Sequence, residues 1–146
     1  MKCPFCGNFL ENSLTKALNG IQSEEGIVLT NIDYVLEVGN TIRLVAEEKH
    51  TQRHFANIYQ LITLKKVAKA LRVPLLLLFV DDVENEVTVY DVPVNIKFPR
   101  RHFYNFEREE PVFVGDYREL RRFLLKNFVY HAPSMKRSFG RWYDAV

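Results

Sequence analysis

The run Ile32-Asp33-Tyr34-Val35-Leu36, followed by Gly39-Asn40 and then by Thr41-Ile42-Arg43-Leu44-Val45-Ala46-Glu47-Glu48-Lys49, sets the architecture expected of this chain. β-Branched and aromatic residues fill both arms, and Gly-Asn between them supplies turn chemistry, so the run reads as an antiparallel hairpin. Gly26 to Thr30 has the same composition and makes a third strand candidate just upstream. The second arm ends in three charged residues, and side chains alternate along a strand with period two. Glu47 and Lys49 therefore share one face and Glu48 takes the other.

Outward from the hairpin, Cys6 to Gly20 carries Phe9, Leu10, Leu14, Ala17 and Leu18 near the spacing of a half-buried helix, with Asn19-Gly20 as its stop. Arg53 to Leu71 lacks Gly and Pro and presents Phe55, Ile58, Tyr59, Ile62, Leu64, Ala68 and Leu71 at helical spacing, which predicts the longest helix. Pro74 to Val80 is apolar on both alternating faces and suits a central strand. Glu86 to Tyr90 reads as a further strand, and Asp116 to Phe128 as a last helix opened by an acidic cap. The expectation is an α/β protein with a central mixed sheet flanked by helices. Its core covers about residues 9–80 and its C-terminal basic extension about residues 84–146, within one domain spanning 1–146.

Composition narrows the function classes. The 146 residues are 47% hydrophobic types and 26% charged, enough for one ordinary core. The longest apolar run, Val73 to Val80, falls far short of the roughly 18 residues of a membrane span. Met1-Lys2-Cys3-Pro4 lacks the apolar stretch of a secretory signal, so a cytoplasmic protein without a membrane partner is expected. Residues 1–96 carry 9 basic and 12 acidic side chains, whereas residues 97–146 carry 11 and 6. Positive charge thus gathers late in the chain, as contact with a phosphate backbone would need. P-loop, dinucleotide-fingerprint, serine-hydrolase and zincin motifs are all missing from the sequence.

The charged strand end suggests chemistry. Asp33 is an acid among apolar residues, and a turn near Gly39-Asn40 would bring it toward Glu47. Two carboxylates suit a hard divalent cation such as magnesium, which keeps several waters and takes further oxygens from a phosphate substrate. Lys49 beside them could orient or help deprotonate an attacking water and stabilise charge on phosphorus. The ordinary alternative is a solvated strand end with no function.

Taken together, Ile32-Asp33, Glu47-Glu48-Lys49, the hydrophobic strands leading into each and the α-β-β-β-α-β order resemble the PD-(D/E)XK nuclease superfamily, of restriction-endonuclease-like fold, over roughly Phe9 to Val80. Gln60-Leu61-Ile62-Thr63-Leu64 is similar to the glutamine motif that RecB-type exonuclease domains and archaeal Holliday junction resolvase-like relatives place on the helix after the lysine. The resemblance implies a deoxyribonuclease, endonuclease or exonuclease, dependent on Mg2+ or Mn2+. Asp33 and Glu47 would be metal ligands, the Glu48 carbonyl a further one, Lys49 the catalytic lysine and Gln60 an active-site support, with Glu11 a further candidate. DNA would be the partner, with RNA left open, and a homodimer is compatible with symmetric members.

Ile32 stands in place of the proline of the name, and Glu48 where an apolar residue is usual, so a catalytically inactive nucleic-acid-binding or assembly protein of the same fold stays open. A register slipped by one residue would instead select Glu48-Lys49-His50.

Other basic groups could meet nucleic acid. Lys65, Lys69 and Arg72 share a helix face, and Arg100-Arg101-His102-Phe103-Tyr104 mixes cations with rings. Asp81-Asp82 reads chiefly as polar residues closing a strand. Cys3 and Cys6 resemble half of a zinc ribbon. Zn2+ there could formally take His50 and His54, at i, i+4, as further ligands within one chain, but a site shared between two chains, a labile disulfide or free thiols are the favoured readings.

Overall fold

The structure, a computed structural model, describes residues 30–93 and 102–130. The expected first helix, nearly all of the strand from Gly26, Cys3, Cys6, Glu11, Arg100, Arg101 and the tail from His131 lie outside the described residues. What is described is a mixed α/β arrangement: a five-stranded mixed sheet, a two-stranded ribbon and two helices. Among the described residues no helix is long and apolar enough to cross a membrane.

Strands β1 (Tyr34–Val38) and β2 (Thr41–His50) form the expected hairpin. Gly39 and Asn40 both adopt positive φ, 54° and 64°, which is what a two-residue turn matched to the strand twist requires. Helix α1 (Ile58–Leu71) follows, and β4 (Leu75–Asp81) then returns parallel to β2 with Glu47 opposite Leu77 and Lys49 opposite Phe79. Strand β5 (Glu86–Asp91) pairs antiparallel with β4, and β7 (Phe113–Gly115) with β5, so residues from the basic C-terminal part complete the sheet in the order β1-β2-β4-β5-β7.

β4 lies in the middle, as its two apolar faces demand. Its odd-numbered residues Leu75, Leu77 and Phe79 pack with Val45, Leu61, Leu64 and Phe106 on the α1 side. Its even-numbered residues Leu76, Leu78 and Val80 pack with Leu44, Val87, Val89, Leu120 and Phe128 on the other. Burying each large apolar side chain contributes roughly 1.5–3 kcal/mol, so this strand anchors both layers. The second layer is completed by α2 (Tyr117–Leu124) and a wider turn over Leu125–Val129. Asp116 caps α2 by accepting from the Glu119 N–H at 2.8 Å while Glu119 Oε1 accepts from the Asp116 N–H.

The long helix starts five residues later than the sequence spacing suggests. Phe55–Asn57 is instead strand β3, paired antiparallel with β6 (Phe103–Asn105) in a separate ribbon. The switch happens at Asn57, whose side chain accepts from the N–H groups of Tyr59 and Gln60 and so caps α1. At the far end Arg72 takes a left-handed conformation, φ 56°, and closes the helix.

Candidate active site

Glu47 stands near the C-terminal end of β2, on the face that looks toward α1, and is only 5% exposed. A carboxylate so buried is not a solvated strand end. One of its oxygens, Oε1, accepts a 2.7 Å hydrogen bond from Gln60 Nε2. The carbonyl of the same amide, Gln60 Oε1, accepts from Lys49 Nζ at 3.1 Å, and the ammonium lies 3.8 Å from Glu47 Oε1. Two residues at period two on one strand and one in the first turn of α1 therefore close a carboxylate–amide–ammonium triangle. The Asn57 cap fixes the backbone of Gln60, and a single amide orients both charged groups.

The other oxygen, Glu47 Oε2, is buried with no hydrogen-bond partner. The Asp33 backbone N–H eases the charge on this carboxylate without making a hydrogen bond of ordinary geometry to Oε2. Burial, and then the charge of Asp33, push the Glu47 carboxyl up to about 7 against the pull of Lys49 and Gln60. A buried carboxylate oxygen with no protein partner is costly, and a bound cation at the mouth of the site would relieve it.

Asp33 differs from the sequence expectation. It precedes β1 and is exposed, so its charge needs no buried counter-ion. Its Oδ2 accepts from the backbone N–H of Glu48 at 2.9 Å, which ties the start of the hairpin to the charged end of β2. A carboxylate has acceptor capacity beyond one hydrogen bond, and the charge of Asp33 acts on Glu47, so a cation beside Glu47 could draw on both carboxylates. Among the described residues no group of three His, Cys, Asp or Glu side chains forms a cage for a metal ion. Asp33, Glu47 and the Glu48 carbonyl would leave much of an octahedral sphere to water and substrate, the usual state of magnesium.

The Glu48 side chain lies on the opposite face. Its Oε2 is 3.0 Å from His50 Nε2, and His50 Nδ1 is 2.8 Å from Asp82 Oδ2. Carboxylate oxygens accept, so contacts from both ring nitrogens favour the imidazolium form over the neutral ring. Hydrogen bonding to Asp82 and then to Glu48 raises its pKa. The alternative triple Glu48-Lys49-His50 is thus divided, with Lys49 on one face and its neighbours on the other. Asp81 closes the strand through its Oδ1, which accepts from Val83 and Glu84 N–H groups. Sequence offers Asp82 chiefly as a polar residue closing a strand and secondarily as a ligand group, whereas its partner here is His50, 32 positions away.

His50 and His54 are not a helical pair. His50 ends β2, whereas His54 precedes β3, stacks on Phe79 at 4.7 Å and shares a 2.8 Å hydrogen bond with the Tyr90 hydroxyl. The helical spacing of His50 and His54 is therefore not realised, while Cys3 and Cys6 lie outside the described residues.

Lys65 and Lys69 follow Gln60 along α1 and Arg72 ends it, about 8, 14 and 18 Å further on at about 1.5 Å per residue. Lys65 is partly buried, and burial followed by Lys69 lowers its pKa; Lys69 and Arg72 are exposed. They sit apart from the triangle. Comparison with protein-family models, with curated proteins and with solved structures gives no match for this chain.

Proposed function

We propose that the chain is a divalent-metal-dependent nuclease of the restriction-endonuclease-like fold, hydrolysing phosphodiester bonds in DNA. The observation that carries this reading is the buried Glu47 carboxylate, one oxygen fixed by Gln60 and the other without a partner, beside the Lys49 ammonium. Asp33, Glu47 and the Glu48 carbonyl would hold Mg2+ or Mn2+. Bound there, the ion would acidify an attacking water and polarise the phosphoryl oxygen.

The chain's own groups do the rest. Gln60 holds Glu47 and Lys49 in one geometry, so neither must reorganise as substrate arrives. Lys49, with its ammonium held by Gln60 yet a quarter exposed, can orient the water and face the negative charge that grows on phosphorus. In the overall step the oxygen of water forms a new bond to phosphorus, the bond to the leaving sugar oxygen breaks, and that oxygen takes up a proton.

The test is cleavage of labelled single-stranded, duplex and branched DNA with Mg2+ or Mn2+, comparing wild type with Glu47→Ala and Lys49→Ala. Each substitution is expected to lower the rate at least about 100-fold, the scale of a lost acid–base or charge-stabilising group. Cleavage indifferent to both removes the assigned site. Binding without cleavage under either metal supports the inactive nucleic-acid-binding alternative.

A further inference from the structure

The ribbon of β3 and β6 turns aromatic rings toward solvent. Ala56 and Tyr104 pair across it and face inward, Ala56 at 2% exposure and Tyr104 against Phe106. Alternation then turns Phe55 and Phe103 outward, and they are 37% and 60% exposed. Tyr59, 54% exposed in the first turn of α1, adds a ring whose centroid is 6.0 Å from that of His102. The Arg53 guanidinium stands 4.8 Å over the Phe55 ring. Phe55, His102, Phe103 and Arg108 line one open cavity of about 530 Å³.

This surface is built onto the candidate active site. β3 runs directly into α1, whose third residue is Gln60, and the Ile58 N–H donates to the His102 carbonyl at 2.9 Å. Ribbon and amide therefore share one support.

We propose that the ribbon is a stacking platform for unpaired bases of a DNA substrate, which makes single-stranded DNA the preferred substrate of the proposed nuclease; its role in catalysis rests on that reading. The balance of charge favours bases over a duplex backbone. Among the described residues Arg53 is already paired with Glu107 at 2.9 Å and Glu109 also lines the cavity, so the described part of this face carries little unpaired positive charge. Duplex DNA offers phosphates outward and keeps its bases stacked on one another. Unpaired bases offer flat π-faces that stack on rings regardless of sequence. The exposed Arg108 in the cavity wall supplies one cation for the phosphate linking two such bases.

The test is fluorescence anisotropy of the full chain in EDTA with labelled oligothymidylate, a mixed-sequence duplex and oligouridylate. Phe103→Ala and Tyr59→Ala are compared with wild type, circular dichroism verifies folding, and Phe103→Leu keeps apolar bulk without a π-face. Oligothymidylate is expected to bind more tightly than duplex. Each alanine variant is expected to weaken it about tenfold, on the scale of one lost base–ring stack, and Phe103→Leu to weaken it nearly as much. Duplex binding as tight as oligothymidylate, or unchanged binding by folded variants, overturns the platform. Tighter binding of oligouridylate overturns the assignment to DNA. Because no metal is present, expected binding here with no cleavage in Mg2+ or Mn2+ removes the nuclease reading alone, whereas cleavage with ring-independent binding removes the platform alone.

Discussion

Replacing Glu47 with glutamine should stabilise the metal-free protein at alkaline pH. In the folded chain the Glu47 carboxyl is pushed up from 4.5 to about 7, first by burial and then by Asp33. A raised carboxyl favours its neutral form in the folded state. Its stability contribution is therefore fully present below pH 4.5 and is lost as pH rises through about 7. At 1.36 kcal/mol per pH unit the loss is roughly 3 kcal/mol. This is a ceiling, because Lys49, 26% exposed beside it, leaves the cleft open to water. Glutamine keeps an acceptor for Gln60 and carries no charge. Thermal melts in EDTA at pH 5 and pH 8 should show the variant gaining on wild type with pH, by up to roughly 6–10 °C at pH 8. Added Mg2+ should then narrow the gap by stabilising wild type alone. A variant whose difference from wild type does not change between the two pH values, or one less stable at pH 8, would refute the reasoning.

Two other outcomes follow from groups outside the triangle. The His54 imidazole is lowered below 6.5, chiefly by burial against Phe79, so wild type should lose stability as pH falls through 6.5 toward the folded value. His54→Phe should remove that part of the slope, read as the wild-type minus variant difference in urea midpoints from pH 7.5 to 5. Asp116→Ala deletes the cap of α2 and should cost about 1 kcal/mol, a fall of about 3 °C in Tm by calorimetry.

Sequence pattern carries furthest where local physics is decisive. Pro74 to Val80 has two apolar faces, and only a position covered on both sides satisfies them. Gly39-Asn40 offers the two positive-φ positions that a tight hairpin needs. Period two along β2 separates Glu47 and Lys49 from Glu48 before any coordinates are known. The misplaced start of α1 has an equally physical origin, because Phe55, Ile58, Tyr59 and Ile62 continue the helical spacing backward through residues that a distant strand captures. β3 forms only by pairing with β6, nearly 50 positions later, and no local signal announces such a partner. Asp33 looked like a buried charge because its neighbours are apolar. It is exposed, and it accepts from a backbone N–H at the end of β2, a contact set by the hairpin register. The His50 bridge between Glu48 and Asp82 was hidden for the same reason.

Gln60 belongs to the connection that joins β2 to its parallel neighbour β4, and this has a kinetic consequence. Parallel strands cannot meet through a short turn, so the chain must close a long loop before their ladder rewards it. The amide that clasps Glu47 and Lys49 arrives with that closure. A chain arrested at the hairpin stage would hold both charged groups on β2 and lack the clasp, making closure of the crossover the event that assembles the carboxylate–amide–ammonium triangle.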